Sequence, residues 1–188
     1  MENKQKKEII KNIQDKETAQ IEEATRNGKK KIIVMGLGNL LFTDEGLGVH
    51  AIRQIEAGYV FSPEVALIDG GTLGLILLEY LEEASHFLCI DAVKAGQAPG
   101  SLVRLEGEEL PRYLGVKMSQ HQMGFQEVLA LASLRGTLPE EMVLIGVQPE
   151  SLEWGTELSP TVAAALPAVT GAVLELLGRW GVSAMPKG

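Results

Sequence analysis

Asp44, Glu45, Asp69, Asp91 and His121 are the side chains of this 188-residue chain from which hydrolytic or metal chemistry is most readily built. Asp44 and Glu45 stand at the entry to a helical segment. Asp69 and Asp91 close two short apolar runs, VALID and FLCID, and His121 stands in the polar stretch KMSQHQMG just ahead of another helix. A Glu, an Asp and a His that converge make a plausible shell for a divalent metal, since carboxylates and imidazole suit zinc, nickel and iron. A carboxylate at a strand end, such as Asp69, suits general-base work instead. On spacing alone the bland roles compete. Asp44 or Glu45 could cap a helix, Asp91 could begin a turn, and His121 could be a surface histidine.

Other chemistries find little support. Gly36–Gly48 (GLGNLLFTDEGLG) follows an apolar run and opens with Gly-x-Gly, as a dinucleotide-binding turn does. The fingerprint needs a third glycine at position 41, which is Leu here. Asp69 sits where a ribose-binding carboxylate would, so a nucleotide-binding module stays open as the alternative. There is no Gly-Lys-Ser/Thr, no G-x-S-x-G and no H-E-x-x-H. Cys89, between Leu88 and Ile90, reads as packing rather than as a nucleophile.

Placing these groups requires a sheet. Lys31–Gly36, Val65–Asp69, Phe87–Asp91, Leu102–Leu105 and Met142–Val147 read as strands. Glu45–Ala57, Leu73–Glu83, Phe125–Leu134 and Ser159–Arg179 read as helices. Thr43 and Asp44 are possible caps for the first helix, and Pro167 should kink or interrupt the last one. Strands separated by helices imply βαβ units, a mostly parallel sheet and right-handed crossovers. Ligands then bind beyond the carboxyl ends of the strands, in the loops after Gly36, Asp69, Asp91 and Val147. If the strands run parallel, the candidate groups face one crevice.

Residues 1–30 carry eight basic and six acidic side chains, whereas the other 158 carry nine and nineteen. The first segment reads as a polar, solvated extension with a thin stripe of Ile9, Ile10, Ile13 and Ile21. Residues 31–188 read as a single α/β domain. The acidic balance argues against nucleic acid as a partner. No run of 18 apolar residues is present, no apolar segment follows the N-terminal lysines, and the single cysteine fits a reducing cytoplasm.

Six segments in order resemble the hydrogenase maturation proteases, endopeptidases that trim the large subunit of nickel–iron hydrogenases. They are MGLGNLLFTDEGLGVHAI, LIDGGTLGLILLEYL, IDAVKAGQAPGSL, MSQHQMGFQEVLALA, LIGVQPESLEWGTELSPTV and the terminal GV-A-PK pattern. The likeness spans about residues 31–186, and the N-terminal extension is the clearest departure. It implies a three-layer α/β/α sandwich around a five-stranded, mostly parallel twisted sheet. It also implies that Glu45, Asp91 and His121 bind the nickel already inserted in the precursor, which marks that substrate as ready for cutting. On this reading the partner is the nickel-loaded large-subunit precursor. The nickel belongs to the substrate, no permanent organic cofactor is needed, and the protein acts as a cytoplasmic monomer. A non-catalytic chaperone using the same metal contact is a further alternative. Whether a bound ion or a carboxylate activates water stays open. Asp69, followed by the close-approach glycines Gly70 and Gly71, is the candidate base, and Trp154 is either a precursor contact or a rim residue.

Overall fold

The run Ile32–Leu37 (IIVMGL) is buried at every residue, as a strand covered on both faces must be. The structure is a computed structural model that describes residues 31–188 apart from 73, 108, 109 and 111–121. In it Ile32–Leu37 forms β1, second in a five-stranded sheet. The order across the sheet is β3 (Ala66–Gly71), β1, β4 (His86–Ala92), β6 (Glu141–Val147) and β5 (Leu102–Glu106). β1 is parallel to both β3 and β4, and β4 to β6, whereas β5 runs antiparallel to β6. The link from Ala92 to Leu102 contains no helix. It re-enters the sheet from the edge it left, so β5 must run the other way.

The pleat sends alternate residues of each strand into two cores. Ile32, Val34, Leu88, Ile90 and Ile145 pack with Ile52 and Ile55 of α1 (Leu47–Gly58) and Val173 and Leu177 of α5 (Leu166–Arg179). Ile33, Met35, Phe87 and Cys89 pack with Leu77 and Leu81 of α2 (Leu77–Glu83) and Phe125 and Val128 of α3 (Gln122–Arg135). The expected three-layer α/β/α sandwich is present. From β1 the chain moves outward to β3 and then returns to β4 on the other side of β1. The topological switch point therefore lies between β1 and β4, and ligands of open α/β sheets collect beyond the carboxyl ends of such a pair.

Several boundaries differ from the sequence reading. Thr43–Gly46 is a 3-10 turn and α1 begins only at Leu47. A second 3-10 turn, Gly74–Ile76, precedes α2. The closing helix is split into α4 (Pro160–Ala163) and α5, with Pro167 in the first turn of α5. That is the interruption a mid-helix proline imposes by removing an N–H and crowding the preceding turn. Pro160–Arg179 is long and apolar enough to cross a membrane by composition, but Val169, Val173, Leu176 and Leu177 of this stretch are buried in the core. Two four-residue strands were not anticipated: β2 (Tyr59–Ser62) pairs antiparallel with β7 (Ser183–Pro186) as a separate ribbon. The expected extension, residues 1–30, and the His121 position lie outside the described residues.

Candidate active site

The first loop is shaped by backbone that packs where side chains cannot. A Cβ on Gly48 would stand 2.2 Å from the Ile90 carbonyl oxygen and 2.3 Å from that of Leu37. The start of α1 is thereby wedged onto the ends of β1 and β4. A Cβ on Gly38 (φ +132°) would stand 1.7 Å from the Glu45 carbonyl oxygen, so the loop folds back on itself there. The space that a pyrophosphate would need beside Gly36-x-Gly38 is filled by the chain's own backbone, which removes the basis of the nucleotide-binding alternative. Asn39 orders the loop tip, its side-chain oxygen accepting the Leu41 N–H at 3.0 Å.

Asp44 is fully buried, and the sequence reading of it as a possible cap is corrected by what it binds. Its Oδ2 accepts the Glu150 N–H at 2.8 Å, the Ser151 N–H at 2.9 Å and the Ser159 hydroxyl at 3.0 Å. Its Oδ1 accepts the Ser159 N–H at 2.7 Å. All four donors come from the segment after β6, more than 100 residues away in sequence. A buried carboxylate needs such a set of donors to offset its desolvation. Thr43 joins the same seam: its hydroxyl donates to the Ser151 carbonyl at 2.7 Å and its N–H to that of Gly155 at 2.8 Å. Those bonds hold Thr43 at φ +26°, a conformation that costs a β-branched residue about 1–3 kcal/mol. Helix capping falls instead to Ser159, whose hydroxyl accepts the Val162 N–H at 3.3 Å at the start of α4.

This clamp sets the Glu45 turn beside Asp91. Asp91 ends β4 half-buried, with Oδ1 accepting the Ala92 N–H at 2.7 Å. Burial pushes its carboxyl up to about 7, the Ala92 hydrogen bond works in the opposite direction, and the charge of Glu45 raises it further. Glu45 thus stands near enough to Asp91, at the switch point, for its charge to raise that carboxyl. Among the described residues, no three His, Cys, Asp or Glu side chains are grouped to hold a metal ion. Cys89, two residues earlier in β4, is buried. Burial and the neighbouring Asp91 charge hold its thiol well above the ordinary range, which fits its packing role.

The strand pleat separates Asp69 from this pair. Asp69 is level with Gly36, and Gly36 with Ile90, so its side chain lies on the α1 face. Asp91 shares the opposite face with Cys89. Asp69 is exposed and pairs with Arg53 of α1 at 3.2 Å. Asp69 therefore lies on the other face of the sheet from Asp91, against the expectation that all the candidate groups share one crevice.

Two organising residues were not legible in advance. Asp44 looked like a cap because its partners are remote in sequence. Gln148 directly follows β6, and its Oε1 accepts the Ala95 N–H at 2.8 Å and the Gln97 N–H at 3.3 Å, tying the loop after β4 to the end of β6. The one available signal was that both lie in loops that follow strands, on the side where open α/β sheets take their ligands.

The chain and its fold are similar to those of known proteins. The family profile described as hydrogenase maturation protease matches residues 49–176. The hydrogenase expression/formation protein HoxM of Cupriavidus necator is 46% identical over 158 residues, covering 83% of this chain and 78% of its own. The hydrogenase 2 maturation protease of Escherichia coli is 38% identical over 158 residues, covering 84% and 96%. Among solved structures, the Escherichia coli hydrogenase maturating endopeptidase HybD superposes with a TM-score of 0.80 at 39% identity, covering 84% of this chain and 98% of its own.

Proposed function

The chain belongs to the hydrogenase maturation protease family, a family of peptidases, and on that premise we propose what it cuts and how it recognises it. It removes the C-terminal extension from the precursor of a nickel–iron hydrogenase large subunit, once nickel has been inserted. The observation that carries this reading is the Glu45–Asp91 pair at the switch point, with Asp91 held up to about 7 by burial and by its neighbour's charge. A divalent cation between the two would offset their repulsion and favour both ionised forms. That makes the pair a detector of a metal-loaded partner.

The nickel is the substrate's own, and His121 is the third donor in this proposal. It precedes Gln122, which opens α3, and α3 packs against the same face of the sheet as Asp91 through Phe125 and Val128. Carboxylate and imidazole donors suit nickel. Three donors at most leave positions for the precursor's ligands, as recognition of a borne ion requires. Asp69 is the base we assign; Arg53 pairs with its Oδ2, and the proton from water would go to Oδ1. The protein works as a cytoplasmic monomer, with no resident organic cofactor.

Purified full-length chain is incubated with nickel-loaded and nickel-free precursor, and the products are read by mass spectrometry. Only the loaded precursor should be shortened. His121→Ala and Glu45→Gln should abolish cutting while the thermal midpoint stays near that of the parent. Equal cutting of nickel-free precursor, or cutting by His121→Ala at the parental rate, overturns the recognition reading. Parental turnover by Asp69→Asn removes Asp69 alone from the mechanism.

A further inference from the structure

We infer that Trp154 is the anchor on which an apolar segment of the precursor docks, beside the carboxylate pair; this rests on the function proposed above. Trp154 is 77% exposed, so it contributes little to the core. Among the described residues its ring partner is Phe42, with centroids 4.6 Å apart and planes tilted by 36°. Leu41, next to Phe42, is 53% exposed and extends the same patch. A lone exposed apolar side chain carries no meaning, but an aromatic pair extended by a leucine is a surface of another kind.

The patch is also built into the site. Gly155, the residue after Trp154, donates its N–H to the Leu41 carbonyl at 3.0 Å and accepts the Thr43 N–H at 2.8 Å. Asp44 holds both ends of the same segment through Glu150, Ser151 and Ser159. The tryptophan thus stands on a loop laced to the turn that carries Glu45, three residues beyond Phe42. A flat aromatic already held in place loses little freedom on binding, and buried tryptophans dominate interface energetics. Across the same edge Leu75 and Ile76, 65% and 54% exposed, lie in the turn that follows β3. The occupant that fits is an apolar stretch of the precursor lying over the edge that holds its nickel, because the patch is continuous with the turn that would read that metal.

The test is the steady-state cutting of nickel-loaded precursor by the full chain and its variants. Trp154→Ala should raise KM at least tenfold and leave kcat within about twofold and the thermal midpoint unchanged, and Trp154→Phe should recover most of the loss. Leu41→Ser should raise KM in the same direction by less. An unchanged KM for Trp154→Ala overturns the inference. So does a fall in kcat at constant KM, which would make Trp154 a brace for the Glu45 turn. A Trp154→Ala defect that vanishes when residues 1–30 are removed also overturns it, because the occupant would then be the chain's own extension. Failure of the parent protein to discriminate nickel-loaded from nickel-free precursor would defeat the functional reading instead, and the KM comparison separates the two.

Discussion

Replacing Asp44 tests whether the clamp between the first loop and the segment after β6 holds the site together. All four hydrogen bonds to its carboxylate come from donors, three N–H groups and one hydroxyl. In Asp44→Asn the best amide orientation keeps the oxygen at the Oδ2 position, facing Glu150, Ser151 and the Ser159 hydroxyl. It then points an NH2 at the Ser159 N–H, so two donors meet and one buried N–H loses its acceptor. That mismatch and the loss of charge-assisted bonding should cost about 2–4 kcal/mol. Asp44→Ala strips the acceptor from all four donors and should cost roughly 4–6 kcal/mol, a large part of what a domain of this size has. Ser159→Ala leaves three of the four bonds in place but removes the cap of α4, for about 1 kcal/mol. Urea unfolding measures all three. With a slope of about 2 kcal/mol/M, Asp44→Asn should lower the midpoint by about 1–2 M, with Ser159→Ala less affected and Asp44→Ala more. Precursor cutting should fall in the same order, since the Glu45 turn loses its support. An Asp44→Asn midpoint within about 0.3 M of the parent, a shift too small for a buried donor–donor clash, would refute the reasoning.

Two further outcomes follow from the site. Because burial and Glu45 raise the Asp91 carboxyl from 3.8 to about 7, the folded protein keeps a proton that the unfolded chain releases. The stability this gives is fully present below pH 3.8 and is lost as pH rises through about 7; three units correspond to roughly 4 kcal/mol at most, less for a half-exposed carboxylate. Asp91→Asn should therefore gain on the parent from pH 4 to pH 8 in chelator-treated urea titrations, and a difference that stays flat with pH would contradict this. Gly48→Ala should destabilise by about 2 kcal/mol or more and slow processing, because its new methyl would stand 2.2 Å from the Ile90 carbonyl oxygen and force backbone apart. A parental melting temperature for that variant would show that the strand ends yield more easily than close packing implies.

The strands most legible in the sequence were those buried on both faces, because IIVMGL and FLCI present apolar residues without interruption. The β2–β7 ribbon was not legible: each strand is four residues long and its partner lies over 120 positions away, so nothing local distinguishes it from loop. The break in the closing helix was legible in Pro167, whose effect on a helix is purely local. Of the candidate site, the sequence singled out Glu45 at a helix entry and Asp91 at a strand end. Their mutual repulsion was not legible, since it depends on how near α1 approaches β4 across Gly48.

By itself the sequence determined the five strands of the main sheet, their mostly parallel βαβ order and a family resemblance that the known relatives bear out. Those are properties of apolar runs, turn residues and local motifs, which act over a few positions. The tertiary structure alone decided which carboxylates share a face. The period-2 pleat turned Asp69 toward Arg53 and away from Asp91, although both close apolar strands in the same way. Tertiary structure also made Asp44 the clamp of the site, because burying a carboxylate requires donors, and the segment after β6 brings them from more than 100 positions away.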